Sequence, residues 1–177
     1  MRAPRSWAAL LLAGAPLMAL GCGWEPLYGD IETEPASVEL RAIKVDPISE
    51  RIGQRLTIAL RNSLNPTGEP TTTRYRLSTT LTTYLSNLGI QSQGLATLGQ
   101  LDAYATYKLV ELKTGSILIT NTVHVANSFD LNPNQYSTIV GEDDARNRCV
   151  SELDQEIVTR LTFCLQRRAA ETSSKSS

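Results

Sequence analysis

The sequence predicts an α+β fold: a two-layer sandwich with two helices packed on one face of a four-stranded, mostly antiparallel sheet, in the order β-α-β-β-β-α. Three observations carry this. Apolar residues recur at three- and four-residue spacing over residues 52–64 and again over 145–165. Between these stretches the chain alternates with period two. Short turns join the alternating runs, which makes them antiparallel neighbours. Two helical stripes side by side can cover the apolar face of a four-stranded sheet that one alone would leave open.

The first strand is expected over residues 38–45, with Val38, Leu40, Ala42 and Lys44 on one side and Glu39, Arg41, Ile43 and Val45 on the other; Pro47 ends it. Ser49 is the expected N-cap of the first helix, with Glu50 in its first turn. Ile52, Leu56, Ala59, Leu60 and Leu64 form the buried stripe, Arg51, Gln54, Arg55 and Arg61 turn to water, and Asn65-Pro66-Thr67-Gly68 stops the helix. The second strand places Tyr75, Leu77, Thr79, Leu81, Thr83 and Leu85 inward, opposite Arg74, Arg76, Ser78, Thr80 and Thr82. Residues 87–99 are polar, contain glycine and read as a connection. Ala103, Ala105, Tyr107 and Leu109 face the core in the third strand, opposite Asp102, Tyr104, Thr106, Lys108 and Val110. Lys113-Thr114-Gly115-Ser116 makes the hairpin turn, and Ile117, Ile119, Val123, Val125 and Phe129 point inward from the fourth strand. After the Asn132-Pro133-Asn134 loop, Glu142, Asp143 and Asp144 open the last helix, where the helix dipole favours acids. Its buried stripe is Ala145, Cys149, Leu153, Ile157, Leu161 and Leu165.

The amino terminus divides the chain. Arg2 and Arg5 precede an apolar run, residues 7–20, that ends in Ala19-Leu20-Gly21-Cys22. The run is shorter than the about 20 residues a bilayer span needs, and a cysteine closes it behind small residues, as at a bacterial lipoprotein processing site. Residues 1–21 are therefore expected to be a signal peptide, with Cys22 acylated as the first mature residue. Three acyl chains, at about 0.8 kcal/mol per buried CH₂, hold such a protein firmly to a membrane. Gly23, rather than an aspartate, follows Cys22 and points to export to the outer membrane. Residues 22–36 read as a lipidated tether, 37–168 as one domain, and 169–177 as a disordered tail.

Removing the 21 residues ahead of Cys22 leaves 156 of the 177, enough for one well-filled core. Arg2 and Arg5 leave with them, so 15 basic residues face 18 acidic ones, a net charge of −3 that argues against nucleic-acid binding. Cys149 and Cys164 fall fifteen residues apart in one helix, roughly 22 Å, which is too far for a disulfide. They read as core residues. His124 is the single histidine and reads as a packing or surface residue. The Glu142-Asp143-Asp144 run resembles a metal cluster less than a helix start, and no cofactor or metal is expected. Tyr75, Tyr84, Tyr104, Tyr107 and Tyr136 fit sheet packing better than carbohydrate stacking. The sequence carries no Cys-x-x-Cys, His-Glu-x-x-His, phosphate-loop or Gly-x-Ser-x-Gly motif, so an enzyme is not expected.

Cys22-Gly23-Trp24-Glu25-Pro26-Leu27-Tyr28-Gly29 resembles the Cys-Gly-aromatic-x-Pro-Leu-Tyr-Gly start of alphaproteobacterial LptE-like lipoproteins. The likeness continues in Thr106-Tyr107-Lys108-Leu109-Val110, the turn through Gly115 and the acidic start of the last helix; Trp24 stands where phenylalanine is common. The resemblance implies a non-catalytic protein on the periplasmic side of the outer membrane, lodged as a plug in the LptD β-barrel, helping it assemble and place lipopolysaccharide in the outer leaflet. Arg74, Arg76, Lys108 and Lys113 are then the candidate contacts to lipopolysaccharide phosphates. A role in another envelope secretion or lipid-transfer machine is the alternative.

Overall fold

The protein is described here by a computed structural model covering residues 35–90 and 96–175. The signal sequence, Cys22 and the tether up to residue 34 lie outside the described residues, as does residue pair 176–177. The elements run α1 (Pro35–Leu40), β1 (Ile43–Val45), α2 (Arg51–Leu64), β2 (Tyr75–Ile90), β3 (Ala96–Glu111), β4 (Ile117–Asp130) and α3 (Gln135–Lys175). The sheet order is β1-β2-β3-β4; β1 pairs with β2 in parallel and the other two pairs are antiparallel. The expected mostly antiparallel α+β sandwich is therefore what forms.

The core lies between one sheet face and the two long helices. Leu77, Ala103, Ala105, Tyr107 and Leu109 of the sheet meet Leu56 and Leu60 of α2 and Ala145, Cys149, Leu153, Ile157 and Leu161 of α3, all fully buried. Each large aliphatic side chain buried this way contributes roughly 1.5–3 kcal/mol. The i, i+4 stripe of α3 supplies one whole wall of the core, which is why a 41-residue helix with a polar outer surface holds its place.

Several expectations need correction. The stretch 38–45 is not one strand. Pro35 suits a first helical position, and α1 follows it; the Glu39 carboxylate accepts from Arg74 and from the Tyr75 hydroxyl, pinning that helix to β2. Only Ile43, Lys44 and Val45 pair with the sheet; Ile43 and Val45 are buried and Lys44 is exposed. The N-cap of α2 is Glu50 rather than Ser49, and its side chain makes no capping bond. Residues 87–99 are not all connection, because β2 runs to Ile90 and β3 starts at Ala96.

The last helix also begins earlier and ends later than expected. Asn134 is its cap: the Asn134 Oδ1 accepts the Tyr136 N–H at 3.0 Å, while Asn132 exchanges bonds with Thr138 Oγ1 at 2.9 and 3.1 Å. Gly141 stays inside the helix, facing Phe129. Glu142, Asp143 and Asp144 therefore sit past the first turn, and arginines rather than the helix dipole compensate them: Arg146, Arg55 and Arg148 respectively. Residues 169–175, expected to lack structure, continue α3. Cys149 and Cys164 both lie on this helix as free thiols, the first buried and the second half-buried.

Candidate docking face and its charged corner

The second sheet face carries no helix among the described residues. Even-numbered positions of β2, β3 and β4 point to it, and Arg76, Thr80, Thr82, Tyr84, Tyr104, Thr106, Lys108, Thr120, Thr122 and His124 are exposed there. Threonine hydroxyls bridge strands directly, as Thr106 Oγ1 and Thr122 Oγ1 do at 2.9 Å. β-Branched hydroxyl residues suit this position because they keep the backbone extended while presenting a polar outer surface.

Basic side chains collect at one corner. The register sets Lys44 opposite Arg76, and Lys108 opposite Ser78, so Lys108 is the diagonal neighbour of Arg76 on the same face. Lys44, Arg76 and Lys108 thus make a line across three strands. Acids temper it from one side. Asp46 accepts from the Ser78 hydroxyl at 2.6 Å and lies 4.0 Å from Arg76. Lys44 and Lys108 carry no ion-pair partner among the described residues. Of the other expected contacts, Arg74 is paired with Glu39, and Lys113 sits in the hairpin turn beyond the strands. Lys113 acts there on Glu111, whose pKa is lowered chiefly by the Thr114 hydroxyl bond and then by Arg168. Lys44 adds to the expected set: alternation separates it from Ile43 and Val45, but only the parallel register with β2 brings it beside Arg76.

An aromatic row crosses the middle of the same face. Tyr104 stacks on His124 with centroids 4.2 Å apart and planes 12° from parallel, and Tyr84 meets Tyr104 edge-on at 6.0 Å. His124 Nε2 lies 2.8 Å from Asp102 Oδ1, and Gln100 donates to the same carboxylate at 3.0 Å. The His124 bond, followed by that of Gln100, holds the Asp102 carboxyl below its usual range. This histidine–carboxylate pair stands on an open strand face, and no hydroxyl or thiol bonds to the imidazole among the described residues. It is arranged to fix a flat, polar–aromatic surface. The remaining tyrosines divide: Tyr75 and Tyr107 are buried, and Tyr136 lies on α3 rather than on a strand. Burial, reinforced by Glu39, pushes the Tyr75 hydroxyl up to about 12.

At the far end of the sheet, β2 and β3 overhang the helices. Leu85 is 54% exposed on the inward face, and Ile139 and Val140 of the first turns of α3 are equally uncovered. A hollow of about 620 Å³ opens beside them, lined by Leu98, Phe129, Tyr136, Val140 and Arg148 among others. The Phe129 ring lies across Gly99, its cross-strand partner, where a Cβ would come within 2.4 Å of the ring. That glycine is the seat of the ring.

The family model for lipopolysaccharide-assembly proteins, LptE, matches residues 40–161. The chain belongs to the LptE family. Two solved structures share its fold. A lipoprotein from Caulobacter crescentus CB15 is 20% identical with a TM-score of 0.60, covering 76% of this chain and 98% of its own. A minor lipoprotein from Acinetobacter baumannii is 16% identical with a TM-score of 0.53, covering 68% and 90%. No curated protein matches the chain. The match spans α2, the whole sheet and most of α3, so this LptE-family chain carries both the packed layer and the open face within the matched region.

Proposed function

We propose that this protein is an outer-membrane lipoprotein, anchored through acylated Cys22 on the periplasmic side, that sits in the lumen of an LptD-like β-barrel and supports insertion of lipopolysaccharide into the outer leaflet without catalysing a reaction. Family membership supports the assembly role. The observation that carries the finer reading is the uncovered, hydroxyl-rich sheet face, which suits the polar, water-lined interior of a transmembrane barrel. Among the described residues no helix is long and apolar enough to cross a membrane; three acyl chains on Cys22 would supply the attachment. The basic corner of Arg76 and Lys108, joined by Lys44 and flanked by Arg74 and Lys113, offers charge-assisted donors to lipopolysaccharide phosphates.

The test is purification of the acylated protein from detergent-solubilised outer membranes. Co-elution with a barrel of LptD size is expected, and Cys22→Ala should leave a non-acylated precursor outside the outer-membrane fraction. Exchanging Arg74, Arg76, Lys108 and Lys113 for glutamine should weaken lipopolysaccharide binding by about tenfold or more, the equivalent of one lost charge-assisted bond. Unchanged affinity removes the phosphate assignment, and purification without any barrel removes the plug.

A further inference from the structure

The two edges of the sheet are finished differently. At the β1 edge the outward carbonyls are taken up by α2: Asn65 Nδ2 donates to the Ile43 oxygen at 2.9 Å and Arg61 to the Val45 oxygen at 3.3 Å. At the β4 edge the coverage is partial. The Leu131 N–H donates to the Thr97 oxygen, which turns odd-numbered backbone groups of this strand toward β3. Even-numbered groups therefore point outward. Two side chains satisfy some of them: Asn121 Oδ1 accepts the Thr122 N–H at 2.8 Å, and Arg148 donates to the Ser128 oxygen at 2.9 Å. Between these caps the Thr122 carbonyl, both groups of His124 and Ala126, and the Ser128 N–H have no backbone partner among the described residues. The window spans about 20 Å at strand rise.

This window opens onto a groove rather than a flat rim. A hollow of about 430 Å³ runs between Val123, His124 and Val125 on one side and Glu152, Glu156, Thr159 and Arg160 of α3 on the other. Glu156 is paired with Arg160 at 2.7 Å, whereas among the described residues Glu152 accepts from Asn127 and has no cationic partner. The window also lacks the lysine or proline that ordinarily blunts an exposed edge strand.

We infer that the β4 edge from Thr122 to Ser128 is a docking groove for an extended segment of a partner polypeptide, which adds to the sheet as a further strand and turns basic side chains toward Glu152 of α3. An edge strand beside a helix gives main-chain bonds for affinity and a charged wall for selectivity. The capping residues Asn121 and Arg148 set the two ends of the segment and keep the added strand short. The occupant is basic because the unpaired charge in the groove is a carboxylate.

The probe is a seven-residue peptide alternating threonine and lysine, titrated against the full acylated protein in detergent while the backbone amides are followed by NMR. Shifts and slowed exchange centred on His124 and Ala126 are expected. Two N-methylated versions of the peptide, one blocked at the threonines and one at the lysines, isolate the main-chain bonds: one is expected to bind about tenfold more weakly or worse while the other binds normally. Ala126→Pro removes an outward N–H and leaves the β3 ladder intact, and should weaken binding to a similar extent. Should that variant fold poorly, Glu152→Lys provides the same loss through the charged wall. Equal binding by both N-methylated peptides, unchanged affinity in Glu152→Lys, or no binding at millimolar peptide overturns the inference. So does a protein dimer that a charge-neutral edge substitution dissociates, because the occupant would then be a second copy.

Discussion

Glu50 is held at φ 68° and ψ 161°, a backbone region populated almost solely by glycine. The surroundings enforce it. Ile48 is buried beneath α2, and its N–H is tied to the Thr57 hydroxyl at 3.0 Å, so the chain must turn sharply to start the helix three residues later. Such a conformation costs about 1–3 kcal/mol in a residue with a Cβ. Glu50→Gly removes that strain. Against it stand the larger unfolded-state entropy of glycine, about 0.5–1 kcal/mol, and the loss of an acid beside the helix amino terminus, about 0.3–1 kcal/mol. The net gain is therefore about 1 kcal/mol or less. Glu50→Ala isolates the strain, since it loses the same charge and keeps the same Cβ. The glycine variant should exceed the alanine variant by about 1 kcal/mol, in the direction that an N-cap position also favours. Urea denaturation reads this as a higher midpoint with an unchanged slope. An alanine variant as stable as the glycine variant would refute the reasoning.

Two further outcomes follow from the packing. Gly99→Val places its branched side chain into the Phe129 ring and should cost about 1–3 kcal/mol; adding Phe129→Ala should relieve the clash, so the pair departs from additivity in a double-mutant cycle by thermal or chemical unfolding. Asp154 on α3 accepts from Ser63 at 2.6 Å through one oxygen, while its other oxygen is buried with no hydrogen-bond partner among the described residues, and burial raises its pKa. The folded carboxyl holds its proton more tightly than the unfolded one, so this group's contribution is greatest at pH below the ordinary aspartate range and is lost as pH rises through the raised value. Asp154→Asn should therefore flatten the pH dependence of stability across that window; an unaltered slope in urea titrations at stepped pH would count against it.

The periodic parts of the fold were legible in the sequence. The stripe of α2, the inward set of β3 and the i, i+4 series of α3 each obey one period over several turns or residues, and burial follows them, as at Leu56, Ala105 and Leu153, with Ala59 only half-buried. Failures came where local signals competed. Residues 38–45 alternate on both sides at once, and Pro35 together with the Glu39 contacts to β2 decided for a helix. The stretch from Asn87 to Gly99 looked like a loop because its polar and glycine residues lack an apolar face. Residues 87–90 and 96–99 continue as strand, where cross-strand backbone bonds suffice and neither face needs to be apolar. Asn134 was visible as a turn residue, but its role as a cap depended on the chain folding back over Asn132.

The site divides along the same line. Parity alone put Arg76, Lys108, Tyr104 and His124 on one face, because a strand period of two fixes the side of every residue once one is known. What parity leaves open is register, and register is what turns separate residues into a surface: it sets Lys44 beside Arg76 and lays Tyr104 against His124. Both arrangements lie on the sheet face that is turned away from the core. The helices bury one side of the sheet, and the other side is therefore free to be shaped by whatever it meets. Exchanges at Arg76, Lys108 or Thr122 should leave folding nearly untouched while altering recognition. A loss of lipopolysaccharide or barrel binding in such variants, with unfolding midpoints unmoved, separates the docking face from the scaffold that carries it.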